Sequence, residues 1–231
     1  MAFSYTGGAR SGGDSGTGSI THGLTINEGD LVVAYVNSND VGAVSADAGG
    51  AVFNEALDET PSGQTARHAL YWKIAGASEP SSYGFTFGDS AQYQILVKVF
   101  TSVTSAAIDA TANAVVDASS SQNMVIEAID SEVISDNALS IIFAGKDNRG
   151  AGGTWASADN SYTGVIGQTD DQDAVGAHRI YTTGETFSGS VTITDPGPSA
   201  NDRTYSVHIS FVERSRSAGI QILRRRRNET G

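Results

Sequence analysis

The side chains able to do chemistry are few and scattered. Four histidines, His22, His68, His178 and His208, stand far apart, and none has metal-ligand spacing such as HxH or HExxH. Arg67 precedes His68 and Arg179 follows His178, so two His–Arg pairs fall at matching places in two halves of the chain. They form a candidate pair of polar sites; the competing reading is two ordinary strand-edge histidines. Cysteine is absent, which removes thiol nucleophiles and thiolate ligands. Neither a Gly-x-Ser-x-Gly elbow nor a GxxxxGK[ST] phosphate loop occurs. The 26 acidic residues show no spacing that singles out an acid and a base for glycoside hydrolysis. The expectation is a protein that is not an enzyme and carries no cofactor. Oxygen ligands gather at Asp170, Asp171 and Asp173, and again at Asp195, Asn201 and Asp202. The first group is a calcium candidate without EF-hand spacing, set against a solvated acidic turn.

Binding residues are easier to nominate. Trp155 follows a GAGG loop with Tyr162 nearby, a pair suited to stacking on a host glycan or a neighbouring subunit. Near the C-terminus, Ile220, Ile222 and Leu223 precede Arg224, Arg225, Arg226 and Arg227. Apolar residues on a free tail are costly. They are accounted for by a partner groove, with the arginines on its carboxylates. Residues 1–212 carry 8 basic and 24 acidic residues, a net of −16, whereas residues 213–231 carry a net of +4. An acidic body repels nucleic acid, so a protein is the expected partner of the tail.

The positioning elements read as strands. Only 17% of the chain is charged, 27 residues are Gly, and no helical periodicity stands out. Strands are expected at 19–26, 31–36, 51–57, 106–118, 123–129, 137–144 and 162–168, with a central block at 69–74, 83–87 and 93–100. Leu31, Val33, Ile95, Val97, Leu139, Ile141, Val207 and Ile209 are the expected core. Aligning Leu31 with Ala138, Tyr71 with Tyr181 and Tyr93 with Tyr205 gives offsets of 107, 110 and 112, which points to two pseudo-equivalent halves. Residues 1–18 form a Gly/Ser-rich arm expected to be mobile unless a partner orders it. The domain reading is an arm at 1–18, a sandwich at 19–213 and a basic tail at 214–231. Met1 leads into this arm with no apolar leader, and no apolar run reaches membrane-spanning length, so folding in a reducing cytosol is expected.

Three motifs carry a resemblance. GDLVVAYV, then YWKIAGASEPSSYGFTF, and later DNALSIIFAG resemble a jelly-roll type found among virion structural proteins of tailed bacteriophages, over roughly residues 29–211. The resemblance implies an all-β antiparallel two-sheet sandwich with extended arms. It implies a head decoration (cement) protein on the major capsid protein, or a tail-associated receptor- or glycan-binding module. A homo-oligomer within the virion, with no membrane and no nucleic-acid partner, is the expected setting.

Overall fold

The computed structural model describes residues 3–39, 42–46, 52–61, 66–101, 106–112, 116–117, 124–126, 132–146, 161–169, 173–187, 191–193 and 204–213. Among them the chain is all-β. The first half holds β1 (Ser4–Thr21), β2 (Leu31–Ser38), β3 (Ser45–Ala46), β4 (Asn54–Glu59), β5 (Arg67–Ile74) and β6 (Ser82–Thr101). The second holds β7 (Ala106–Ala112), β8 (Val116–Asp117), β9 (Met124–Ile126), β10 (Glu132–Ile134), β11 (Ala138–Lys146), β12 (Thr163–Thr169), β13 (Asp173–Ile180), β14 (Glu185–Phe187), β15 (Val191–Ile193) and β16 (Thr204–Glu213).

Two large antiparallel sheets result, with the short pairs β10-β14 and β15-β9 beside them, and the chain completes one large sheet before it starts the other. The first runs β1-β6-β2-β5-β4 and the second β7-β16-β11-β13-β12. Ranked by position in the chain, both orders are first, fifth, second, fourth, third. The expected sandwich is therefore present as two stacked sheets, each built from one contiguous half.

Register makes the equivalence specific. Leu31 pairs with Ile74 and Phe100, and Leu139 pairs with Ile180 and Phe211. The same Leu–Ile–Phe triple thus recurs at offsets of 108, 106 and 111. Gly29 and Asn137, related by 108, both take positive φ, at 91° and 56°. The next residues, Asp30 and Ala138, accept the same backbone bond, from Ala75 at 2.7 Å and from Tyr181 at 2.8 Å. The sequence-derived offsets miss these values by one, four and one. An odd slip, as at Leu31 and Tyr93, turns every side chain to the other face of its sheet, and the slip of four means that Tyr71 matches Ala177 and not Tyr181.

Every residue of β2 is buried, so both of its faces are covered. Leu31, Val33 and Tyr35 face Leu139, Ile141 and Phe143 across the gap between the sheets. Tyr35 stacks on Phe143 at 5.0 Å, and Trp72 meets Phe211 edge-on at 5.6 Å. Val32, Ala34 and Val36 point the other way, into a second core shared with Ile95 and Val97. That core closes because β1 and β6, with 18 and 20 residues, are far longer than β2 with 8. Straight, they would run about 60 Å at about 3.3 Å per residue. The ribbon bends instead where Ser15 pairs Ala91 but Thr17 pairs Thr86, a bulge that throws extra residues into β6. Past the bend, Tyr83, Phe85 and Phe87 fold over Tyr71 and Val97, and the first sheet becomes a curled half-barrel. On the outer face of the second sheet, Ile142, Ala144, Tyr162, Val175 and Tyr181 make a third core.

Three expectations are corrected. The Gly-rich arm is not a free segment: residues 4–18 belong to β1, paired with β6. Its glycines leave room for β6 side chains. A Cβ at Gly18 would lie 2.7 Å from the Tyr93 ring, and one at Gly12 would lie 2.3 Å from Gln94 Oε1. Backbone pairing and this packing offset the entropy of ordering glycine. The strands expected at 83–87 and 93–100 are one continuous strand, with the bulge lying between them. Ile95 and Val97 are core residues, but of the half-barrel and not of the inter-sheet layer.

Because Leu31 and Leu139 are fully buried equivalents in one layer, Leu31→Ala and Leu139→Ala should each cost about 2–5 kcal/mol. Urea denaturation of the two variants checks this, with similar losses expected.

Candidate interaction edge and buried polar seams

Polar groups enter the apolar gap at two places, and both tie one sheet to the other. At the first, Lys98 of β6 is fully buried and its Nζ donates to the Gly164 carbonyl of β12 at 2.6 Å. It also lies 3.5 Å from His178 Nδ1 of β13, and 5.0 Å from the centre of the Tyr5 ring of β1. Tyr5, Phe100 and His178 pack around it, with Tyr5 and His178 centroids 4.4 Å apart. Burial lowers the Lys98 pKa to about 7. Burial, and then the neighbouring Lys98 charge, lowers His178 to about 3, so its imidazole is neutral and accepts at Nδ1. Gly164 is required twice over: its φ is +59°, and a Cβ there would lie 2.3 Å from the His178 ring.

At the second place, Tyr35 Oη and His68 Nδ1 are 2.7 Å apart, His68 stacks on Tyr205 at 4.1 Å, and the Tyr205 hydroxyl donates to Glu59. Burial lowers His68 to about 3 and lifts Tyr35 well above the usual phenol range. Each histidine is thus an uncharged hydrogen-bonding wedge between sheets. Their expected equivalence fails on register: His178 matches Trp72, and His68 matches Ala174.

Where the halves are compared position by position, the first seam is the departure. Trp72 of the first sheet meets Phe211 of the second edge-on, and the matching pair, His178 of the second sheet and Phe100 of the first, does the same. Lys98 stands where the second half has Ile209. One half fills the position with hydrocarbon, and the other puts an amine there.

The motifs behind the family resemblance are turn locks. Glu79 accepts from Lys73 Nζ at 2.9 Å, Gly76 N at 2.7 Å and Tyr83 Oη at 3.0 Å, closing the AGASEP turn. Burial pushes Glu79 up, but these bonds outweigh it and hold its pKa below the ordinary value. Asp30 Oδ2 accepts from Asn27 N at 2.9 Å, closing the turn ahead of β2.

Of the nominated residues, Tyr162 is a core ring and not a stacking surface: it is 3% exposed and its hydroxyl lies 2.6 Å from Ser140 Oγ. Trp155, Asp170, Asp171 and the tail residues Ile220, Ile222, Leu223 and Arg224, Arg225, Arg226 and Arg227 lie outside the described residues. Asp173 opens β13 opposite Lys146 and Thr169. No cluster of three or more metal-ligating side chains occurs among the described residues. His22 is buried, stacked on Tyr83 at 5.1 Å, with Nε2 at 2.8 Å from the Pro80 carbonyl. Sequence spacing missed one pair: Ser140 Oγ lies 2.6 Å from His208 Nε2. Both residues are buried, which makes the contact part of a packed polar network with Tyr162.

What faces outward is an edge. Among the described strands, β1 closes the first sheet and pairs only with β6. Toward its start it rests on β12, where Arg10 donates to the Gly167 carbonyl and a Cβ at Gly8 would lie 3.0 Å from the Ile166 side chain. From Ser11 to Thr17 the strand is exposed or half-buried, and no described strand takes its outer edge. A row of backbone donors and acceptors on a glycine-rich strand is a template for strand addition. No family model, curated protein or solved structure matches this chain.

Two predictions follow from the seams. His68 and His178 titrate near 6.5 when unfolded and about 3 when folded. Stability is fully present above pH 6.5 and is lost as pH falls toward 3, by several kcal/mol in all. Lys98 behaves alike in a higher window, its contribution falling from pH 10.5 to about 7. Urea midpoints against pH should therefore rise between 7 and 10, and Lys98→Met should flatten that rise. Gly164→Ala meets both a left-handed backbone and the His178 ring, and thermal melting should show a loss of about 1–3 kcal/mol.

Proposed function

We propose that the chain is a virion structural protein that decorates the outer surface of a capsid and stabilises it by bridging subunits. The observation that supports this best is the pairing of a stiff body with an open edge. Two sheets pinned by Lys98, His68 and Tyr205 form a module with little internal give, and the outer edge of β1 offers it a means of attachment. The charge split, −16 in residues 1–212 against +4 in 213–231, adds a means of holding acidic neighbours. The jelly-roll virion likeness rests on the sequence motifs, and the major capsid protein is the partner it suggests. Burial at about 25 cal/mol per Å² of apolar surface, repeated over a lattice, supplies stabilisation by avidity. The protein would be assembled in the host cytoplasm and act on the particle.

Quantitative mass spectrometry of purified particles tests the reading. A decoration protein should be present in near-stoichiometric ratio to the major capsid protein, and particles lacking it should break at lower temperature. A handful of copies per particle would point to a tail-associated glycan- or receptor-binding module, and absence from particles would overturn both.

A further inference from the structure

We infer that the outer edge of β1, from Ser11 to Thr21, receives residues 220–223 of a second copy of this chain as an added strand. The inference deepens the assembly role proposed above, and it names both the surface and its occupant. Three observations point to this pairing. Among the described residues the edge is the open side of an 18-residue strand, and β12 takes its first part, around Tyr5, Gly8 and Arg10. The segment Gly219-Ile220-Gln221-Ile222-Leu223 puts two β-branched residues on one side of an extended chain, as an added strand requires. The four arginines that follow are cationic against a body of net −16, and Asp14 is exposed on that edge.

Reach decides which copy supplies the segment. β16 ends at Glu213, beside Ala106 of β7, and β7 is the edge of the second sheet away from β12. β1 lies against β12 on the opposite side. From β16 to a strand added beside β1 is four strand spacings of about 4.8 Å and one sheet gap of about 10 Å, roughly 30 Å around the molecule. Residues 214–219 span about 20 Å at full extension. A tail therefore falls short of its own β1 and reaches that of a neighbour. Two copies exchanging tails form a closed twofold pair.

The test uses the full chain. A photoreactive diazirine residue replaces Ile222, light- and heavy-isotope chains are mixed, and crosslinks are mapped by mass spectrometry. The expected result is crosslinks between light and heavy chains, landing within residues 11–21 and weakened by high salt. Ser11 and Asp14 have opposite parity along an unbroken stretch of register, so one of their N–H groups points outward. Of Ser11→Pro and Asp14→Pro, the variant that keeps the parent melting temperature should lose the crosslink. Crosslinks confined to one isotope, crosslinks to another surface, contacts of β1 with β1, or a monomer at every concentration would each overturn the inference. Particle binding is measured on the same variants. In the parent chain, particle binding without crosslinks between copies sinks the tail assignment alone, while crosslinks between copies without particle binding sink the capsid reading alone.

Discussion

The structure depends on β2 and β11 having no face left for water. Two sheets stacked through Leu31, Val33, Tyr35, Leu139, Ile141 and Phe143 bury one face of each. The other face of β2 carries Val32, Ala34 and Val36, which are as apolar as the first. An antiparallel sheet with one wet side would expose them. The long ribbon of β1 and β6 resolves this by bending at its bulge and laying Tyr83, Phe85 and Phe87 over them. The second sheet solves the same problem with Tyr162 and Tyr181 over Ile142 and Ala144.

The buried polar seams take their meaning from that frame. A lysine in a hydrocarbon gap is expensive unless its hydrogens are used. Lys98 uses them on a carbonyl and an imidazole that both come from the other half of the chain. The matching position is Ile209, so the fold does not require an amine there. The amine registers one sheet against the other, because only one offset brings Nζ, Gly164 and His178 together.

Much of the architecture was readable in the residues. Continuous apolar runs placed β2 and β11, a short aromatic run placed β5, and the recurrence of apolar blocks announced the two halves. The offsets went astray because residue types were matched where hydrogen-bond register decides, and one position along a strand changes its face. The arm was misread for a different reason. Glycine scores as disorder when nothing covers it, and the covering residues, Tyr93 and Gln94, lie some eighty positions away. Ser140 with His208, and Lys98 with His178, are likewise joined by topology and leave no local pattern. Tyr162 read as a stacking ring because its partner Ser140, 22 positions away, lies beyond any local pattern.

That the chain finishes one sheet before beginning the next has a consequence during synthesis. When Thr101 has left the ribosome, the first half-barrel has all its strands, yet Leu31, Val33, Leu70 and Phe100 still look onto the empty side of the future sandwich. Their cover arrives only with β11 and, last, with Phe211 of β16. At about 5–20 residues per second the nascent sheet stays sticky on that side for about 5–20 seconds. An acidic first half, with charge repelling its siblings on the same message, is well suited to wait.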